Sequence, residues 1–213
     1  MSTTIHTTTP MRDGLYDGGA LPMGAIGTSA SGWWGAWVLM LSEGTLFAYL
    51  FFTYFYFSIQ PPANWIPGGP PSFFYPGIQT GLVLAGCVSA WFAHRSIRLG
   101  QQLLALVGLG LTFLICSAFI GVQFLDWFDK PFPFAESTYS SEYYLITGAH
   151  LAHVVVGWFI LLMVCVWTVF GYFDRVRHIP IAIATIYWYF IAIIWIAVFF
   201  TLTCTPYLFP AHA

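Results

Sequence analysis

Glu43 is a lone carboxylate in a run from Trp33 to Phe57 whose other residues are apolar, aromatic or small. An ionisable group near the middle of a bilayer costs at least ~2.5 kcal/mol, so it faces protein or water and marks a candidate site. His150 and His153 stand three apart, a spacing that puts both on one face of a helix together with Thr147 and Gly157. Three chemistries fit these groups. The histidines could be neutral and hydrogen-bonded for helix packing, with Glu43 a neutral acid donating to a neighbouring helix. They could instead exchange protons with Glu43, which could also face lipid or water. A haem or metal site is the third, although no dependable third ligand is evident beside two imidazoles and a carboxylate. By residue count Glu43 and the histidine pair lie at similar depth, so a direct or water-bridged hydrogen bond from Glu43 to His150 or His153 is expected.

The elements that carry these groups belong to a membrane protein. Of 213 residues, 59% are hydrophobic, 20% aromatic and only 7% charged, against roughly 25% charged in an average soluble domain. A helix over 33–57 would be roughly 37 Å long, more than the roughly 30 Å hydrocarbon layer. Four further apolar runs, about 77–94, 101–124, 142–170 and 180–203, complete the expected fold: an all-α, polytopic bundle of five transmembrane helices. The head, 1–32, is polar and glycine-rich, is expected to be flexible, and lacks the basic start of a cleaved signal peptide. No Ser/Gly-rich linker or charge run divides 33–213, which is expected to form a single transmembrane domain.

Pro61, Pro62 and the proline-rich stretch from Ala63 to Pro76 stop the first helix. Arg95 to Gly100 makes a tight hairpin turn, and Asp126 to Ser141 reads as a structured loop with little room for helix. Asp174 to His178 marks a membrane surface, and Pro180 suits a first helical turn. With five spans, Arg12, Arg95, Arg98, Arg175 and Arg177 share one side and Lys130 the other, which puts the N-terminus in the cytoplasm and the C-terminus outside. Asp126, Asp129, Glu136 and Glu142 read as solvated charge, with Ser141 and Glu142 as candidate caps of the fourth helix. Cys87, Cys116, Cys165 and Cys204 sit singly in separate runs and read as small hydrophobes. A net charge of −2 without clustered Lys and Arg argues against nucleic acid as a partner.

Three blocks resemble subunit III of the haem-copper oxidases, cytochrome c oxidase and its quinol-oxidising relatives. Ser42-Glu43 with Phe47, Phe51 and Phe52 is similar to the helix bearing that family's buried glutamate. Trp91-Phe92-Ala93-His94-Arg95-Ser96 is similar to the end of the next helix. Thr147-Gly148-Ala149-His150-Leu151-Ala152-His153-Val154-Val155-Val156-Gly157 matches the family's T-G-x-H-x-x-H-V-x-x-G signature. The chain looks like a five-helix form that lacks the first two helices of longer members. Its last helix departs from the usual W-H-F-x-D-x-x-W, since Tyr189 and Ala192 replace the histidine and the aspartate.

The resemblance implies an accessory, non-catalytic subunit of an aerobic terminal oxidase in a bacterial or archaeal cytoplasmic membrane. Such a subunit packs on subunit I of a complex that also holds subunit II, binds phospholipid in a cleft, and supports proton uptake and stability during turnover. It implies no cofactor in this chain, with haem and copper in the partner subunits. Two alternatives stay open: a partner of a nitric oxide reductase, and, of another class, a small proton-coupled carrier using Glu43 and the histidines. A carrier usually shows an internal repeat and helices broken near mid-membrane, and neither is seen here.

Overall fold

The computed structural model describes residues 31–59 and 65–208. Among the described residues five helices are long and apolar enough to cross a membrane: α1 (Ser31–Ser58), α2 (Phe74–Arg98), α3 (Gln102–Phe128), α4 (Thr138–Val169) and α5 (Ile179–Phe199). A π-helical turn, Phe200–Cys204, and the short α6 (Thr205–Leu208) extend α5. Among the described residues there is no strand. The polar head, up to residue 30, lies outside the described residues.

The helices form a ring in which α2 packs on α3 and α5, α4 on α3 and α5, and α1 on α4 and α5. Over its most apolar window α5 is 56% buried and α1 only 22%, so α5 is the central post and α1 the outrigger. The inward stripe of α1 is Met40, Phe47, Leu50 and Tyr54, at three-, four- and seven-residue intervals.

Close approach needs small residues, because hydrocarbon offers little hydrophobic drive for helices to associate and contact itself must supply it. The α2–α3 seam is built this way from buried Ser89, Ala90 and Ala93 against Ala105 and Gly108. A Cβ on Gly108 would lie 2.9 Å from the Ala93 Cβ and 3.0 Å from its backbone. Gly86 lies under Trp188 in the same manner, with a Cβ there 2.5 Å from the indole.

The helix ends differ from the sequence expectation on the side of Lys130. Asp126 and Trp127 form the last turns of α3, not a loop, and α4 begins at Thr138. Helix ends follow backbone hydrogen bonding, which does not stop at the edge of an apolar run. Ser137 is the N-cap of α4: its hydroxyl accepts from the Ser140 N–H at 3.0 Å, and the Ser140 hydroxyl accepts from the Ser137 N–H at 2.8 Å. This capping box replaces the Ser141–Glu142 cap.

On one helix, Gly108→Ala should lower stability by about 1–3 kcal/mol through overpacking. Gly110→Ala, with nothing within 4 Å of its Cβ position, should be neutral or stabilising because Ala favours helix. Thermal unfolding of the purified assembly in detergent separates the two, and equal midpoints would contradict the seam.

Candidate functional site

Glu43 lies between Met40 and Phe47 on the inward stripe of α1, where the helix meets α4. His153 lies opposite, one turn beyond Ala149 on α4. Its Nε2 is 2.8 Å from Glu43 Oε2 and its Nδ1 is 2.6 Å from the Ala149 carbonyl oxygen. A carbonyl oxygen only accepts, so Nδ1 must carry a proton and donate it. The contact between Nε2 and Oε2 therefore needs one proton of its own. Either the Glu43 acid donates to a neutral imidazole, or an imidazolium donates to the carboxylate. Both forms carry no net charge, and loss of that proton would leave two acceptors facing each other.

Phe47 shields the pair, its ring centroid 5.0 Å from that of His153. The Tyr187 hydroxyl on α5 donates to the His153 carbonyl oxygen at 3.3 Å and so ties the site to the central helix. The glutamate side chain remains 31% exposed and the imidazole 15%, so one side of the pair looks out of this subunit. The arrangement is a neutral, one-proton unit with an open side.

The other two residues singled out with Glu43 lie elsewhere. His150, fully buried, donates Nε2–H to the Ile191 carbonyl of α5 at 3.2 Å, and its Nδ1 has no partner. Phe119 and Trp195 enclose it, with ring centroids 5.6 and 5.2 Å away. Thr147 faces α3, accepting from Trp127 Nε1 at 3.1 Å and donating to the Tyr143 carbonyl at 2.7 Å.

Two polar clusters were not anticipated. Asp126, read as solvated charge, is 2% exposed; it accepts from the Tyr143 hydroxyl and pairs with Lys130 Nζ at 2.9 Å. Glu142 is 8% exposed and accepts from Thr53 on α1 at 3.2 Å, a second clasp between α1 and α4. The four-residue spacing of Asp126 and Lys130 across the end of α3 was the signal available for the first. Nothing in the sequence ties Glu142 to Thr53.

Tyr189 and Ala192, the departures in the last helix, fall on α5. Tyr189 lines a 490 Å³ groove between α1 and α5, facing Trp37, Gly44 and Ala48, and Ala192 is buried. Among the described residues no three His, Cys, Asp or Glu side chains gather as a metal site would require.

A family model described as cytochrome c oxidase subunit III matches residues 23–205. The cytochrome c oxidase subunit 3 of Drosophila yakuba is 30% identical over 198 residues, covering 90% of this chain and 74% of the relative. That of Prototheca wickerhamii is 28% identical over 197 residues, covering 89% and 73%, and that of Patiria pectinifera 28% over 170 residues, covering 76% and 65%. The match spans all five membrane helices and takes in both Glu43 and His153, and on this ground the chain belongs to the cytochrome c oxidase subunit III family, as an accessory subunit of a haem-copper oxidase.

Proposed function

We propose that the chain supports oxygen reduction from the side, packing against subunit I in a complex with subunit II, with Glu43 and His153 as its working group. The observation that carries this is the 2.8 Å contact in which one proton must be shared. A unit that is neutral in both its forms can move a proton between oxygen and nitrogen without placing net charge in hydrocarbon. With the glutamate still partly exposed, the open side is where a proton or a partner's polar group would be met. His150 and Thr147 then hold the helices in register and take no part in exchange.

Haem and copper belong to the partner subunits in this reading. Phospholipid acyl chains fill the groove beside Tyr189, a role its lining of aromatic, aliphatic and small side chains suits. Residues 33–213 act as one transmembrane unit. The membrane is a bacterial or archaeal cytoplasmic one in this reading, whereas the relatives compared above come from Drosophila yakuba, Prototheca wickerhamii and Patiria pectinifera. Family membership removes the carrier alternative. A purified native complex should consume oxygen, and one that reduced nitric oxide in its place would restore the reductase alternative.

Glu43→Gln should leave assembly intact, since the amide N–H can donate to His153 Nε2. Glu43→Ala should strand that acceptor and cost roughly 1–3 kcal/mol of stability. The Gln variant should also lose turnover or proton uptake at high pH, because an amide cannot exchange the shared proton. Unchanged pH-dependent activity in an assembled Gln variant would reduce Glu43 to a packing role.

The arginine-bearing end of the bundle is placed in the cytoplasm. Four arginines, Arg95, Arg98, Arg175 and Arg177, cluster there, against Lys130 at the other end. A reporter fused after Leu208 should be active only on the outer side, and cytoplasmic activity would invert the topology.

A further inference from the structure

Apart from the Glu43 site and from the groove beside Tyr189, a cavity of 230 Å³ opens at the C-terminal end of α2, lined by Trp91, His94, Arg95, Arg98 and Leu99. The face of α2 leading to it is continuous. Leu84, Val88 and Trp91 are 52%, 67% and 54% exposed, and Arg95 and Arg98 continue their four- and three-residue spacing, so an outward apolar stripe ends in two guanidinium groups.

Arg95 is held in place: its Cζ lies 5.7 Å from the Trp91 ring centroid, a cation–π contact that fixes the group at the cavity. Among the described residues neither arginine is in an ion pair. Asp174, the carboxylate in the neighbouring turn, is engaged locally, its Oδ1 accepting the Val176 and Arg177 N–H groups at 2.7 Å each. The carbonyls that end α2 would repel an anion, but those of Ser96, Ile97 and Leu99 are already covered. Gly100 and Gln101 N–H groups reach the Ile97 and Ser96 oxygens at 2.9 and 3.0 Å, and Arg175 Nη2 donates to the Leu99 oxygen at 2.5 Å. The cavity thus presents uncompensated positive charge where an apolar helix leaves the hydrocarbon.

A phosphodiester anion matches the arginines, since guanidinium groups take phosphate oxygens in paired hydrogen bonds. A soluble phosphate would use the two cations alone, whereas a lipid would use the apolar stripe as well. We propose that this cavity seats the headgroup of an anionic phospholipid of the phosphatidylglycerol class, its phosphate between Arg95 and Arg98 and its acyl chains along Trp91, Val88 and Leu84. The site depends on the membrane-spanning fold and not on the role given to Glu43, so the two stand or fall separately.

Native mass spectrometry of the purified intact complex tests it, with titrations of phosphatidylglycerol, phosphatidylcholine and glycerophosphate. Arg95→Gln with Arg98→Gln should weaken phosphatidylglycerol retention roughly thirtyfold and leave phosphatidylcholine unchanged. Arg95→Lys with Arg98→Lys should keep most of the binding, and Trp91→Ala should weaken the lipid while the cations remain. Phosphatidylglycerol retention unaltered in the double Gln variant would overturn the site. Glycerophosphate bound as tightly as the lipid would overturn the lipid assignment in favour of a soluble phosphate. If the double Gln variant fails to assemble, the Lys pair and Trp91→Ala decide, since both leave positive charge at the α2 terminus.

Discussion

Hydrocarbon has no water to offer a polar side chain, and the bundle follows from that lack. Several polar groups on the inner faces find partners on other helices. Trp195 Nε1 on α5 reaches Thr80 on α2, Trp158 Nε1 on α4 reaches Ser117 on α3, and Ser89 on α2 reaches the Gly108 carbonyl on α3. Glu43 and His153 join α1 to α4, and His150 joins α4 to α5. Each of these bonds exists at one register only, because a helix sliding by a residue would turn its polar group toward lipid. Apolar packing brings the helices together, and the sparse polar pairs fix their order and height.

The same constraint explains why Glu43 can sit where it does. Alone it would be costly at that depth, but joined to His153 it forms an assembly without net charge, shielded by Phe47 and tied to α5 through Tyr187. Among the described residues α1 packs mainly on α4 and α5 and is the least buried span. A polar clasp at Glu43 and another between Thr53 and Glu142 hold it where apolar contact is thinnest.

The number and class of helices were legible because a span must be long and apolar, and five runs satisfied both conditions. Their ends were less so. Asp126 looked like loop because it is charged, yet it belongs to α3, paired with Lys130 and accepting from the Tyr143 hydroxyl of α4, a partner seventeen residues away. Glu43 and His153 were legible as anomalies in apolar runs. The three-residue spacing left open which histidine would meet Glu43: residues three apart on a helix differ by about 60° in direction. That angle sends His153 to α1 and His150 to α5. Periodicity identifies a face, and the neighbours on either side of it divide that face between them.

The two turns at the arginine-bearing end are locked across the chain. Arg175 in the α4–α5 turn covers the Leu99 carbonyl that ends α2, and Gln102 at the start of α3 reaches the Thr168 carbonyl near the end of α4 at 3.0 Å. Gly100 and Gly171 take positive φ to bring these ends together. A ribosome makes Leu99 and Gln102 long before Thr168 and Arg175, so both locks close only after α4 has entered the membrane. During biosynthesis the α2–α3 hairpin can already use its own small-residue seam, while α1, whose bundle contacts are with α4 and α5, must wait for later helices. The order of insertion thereby leaves α1, made before the other four spans, to be docked among the last.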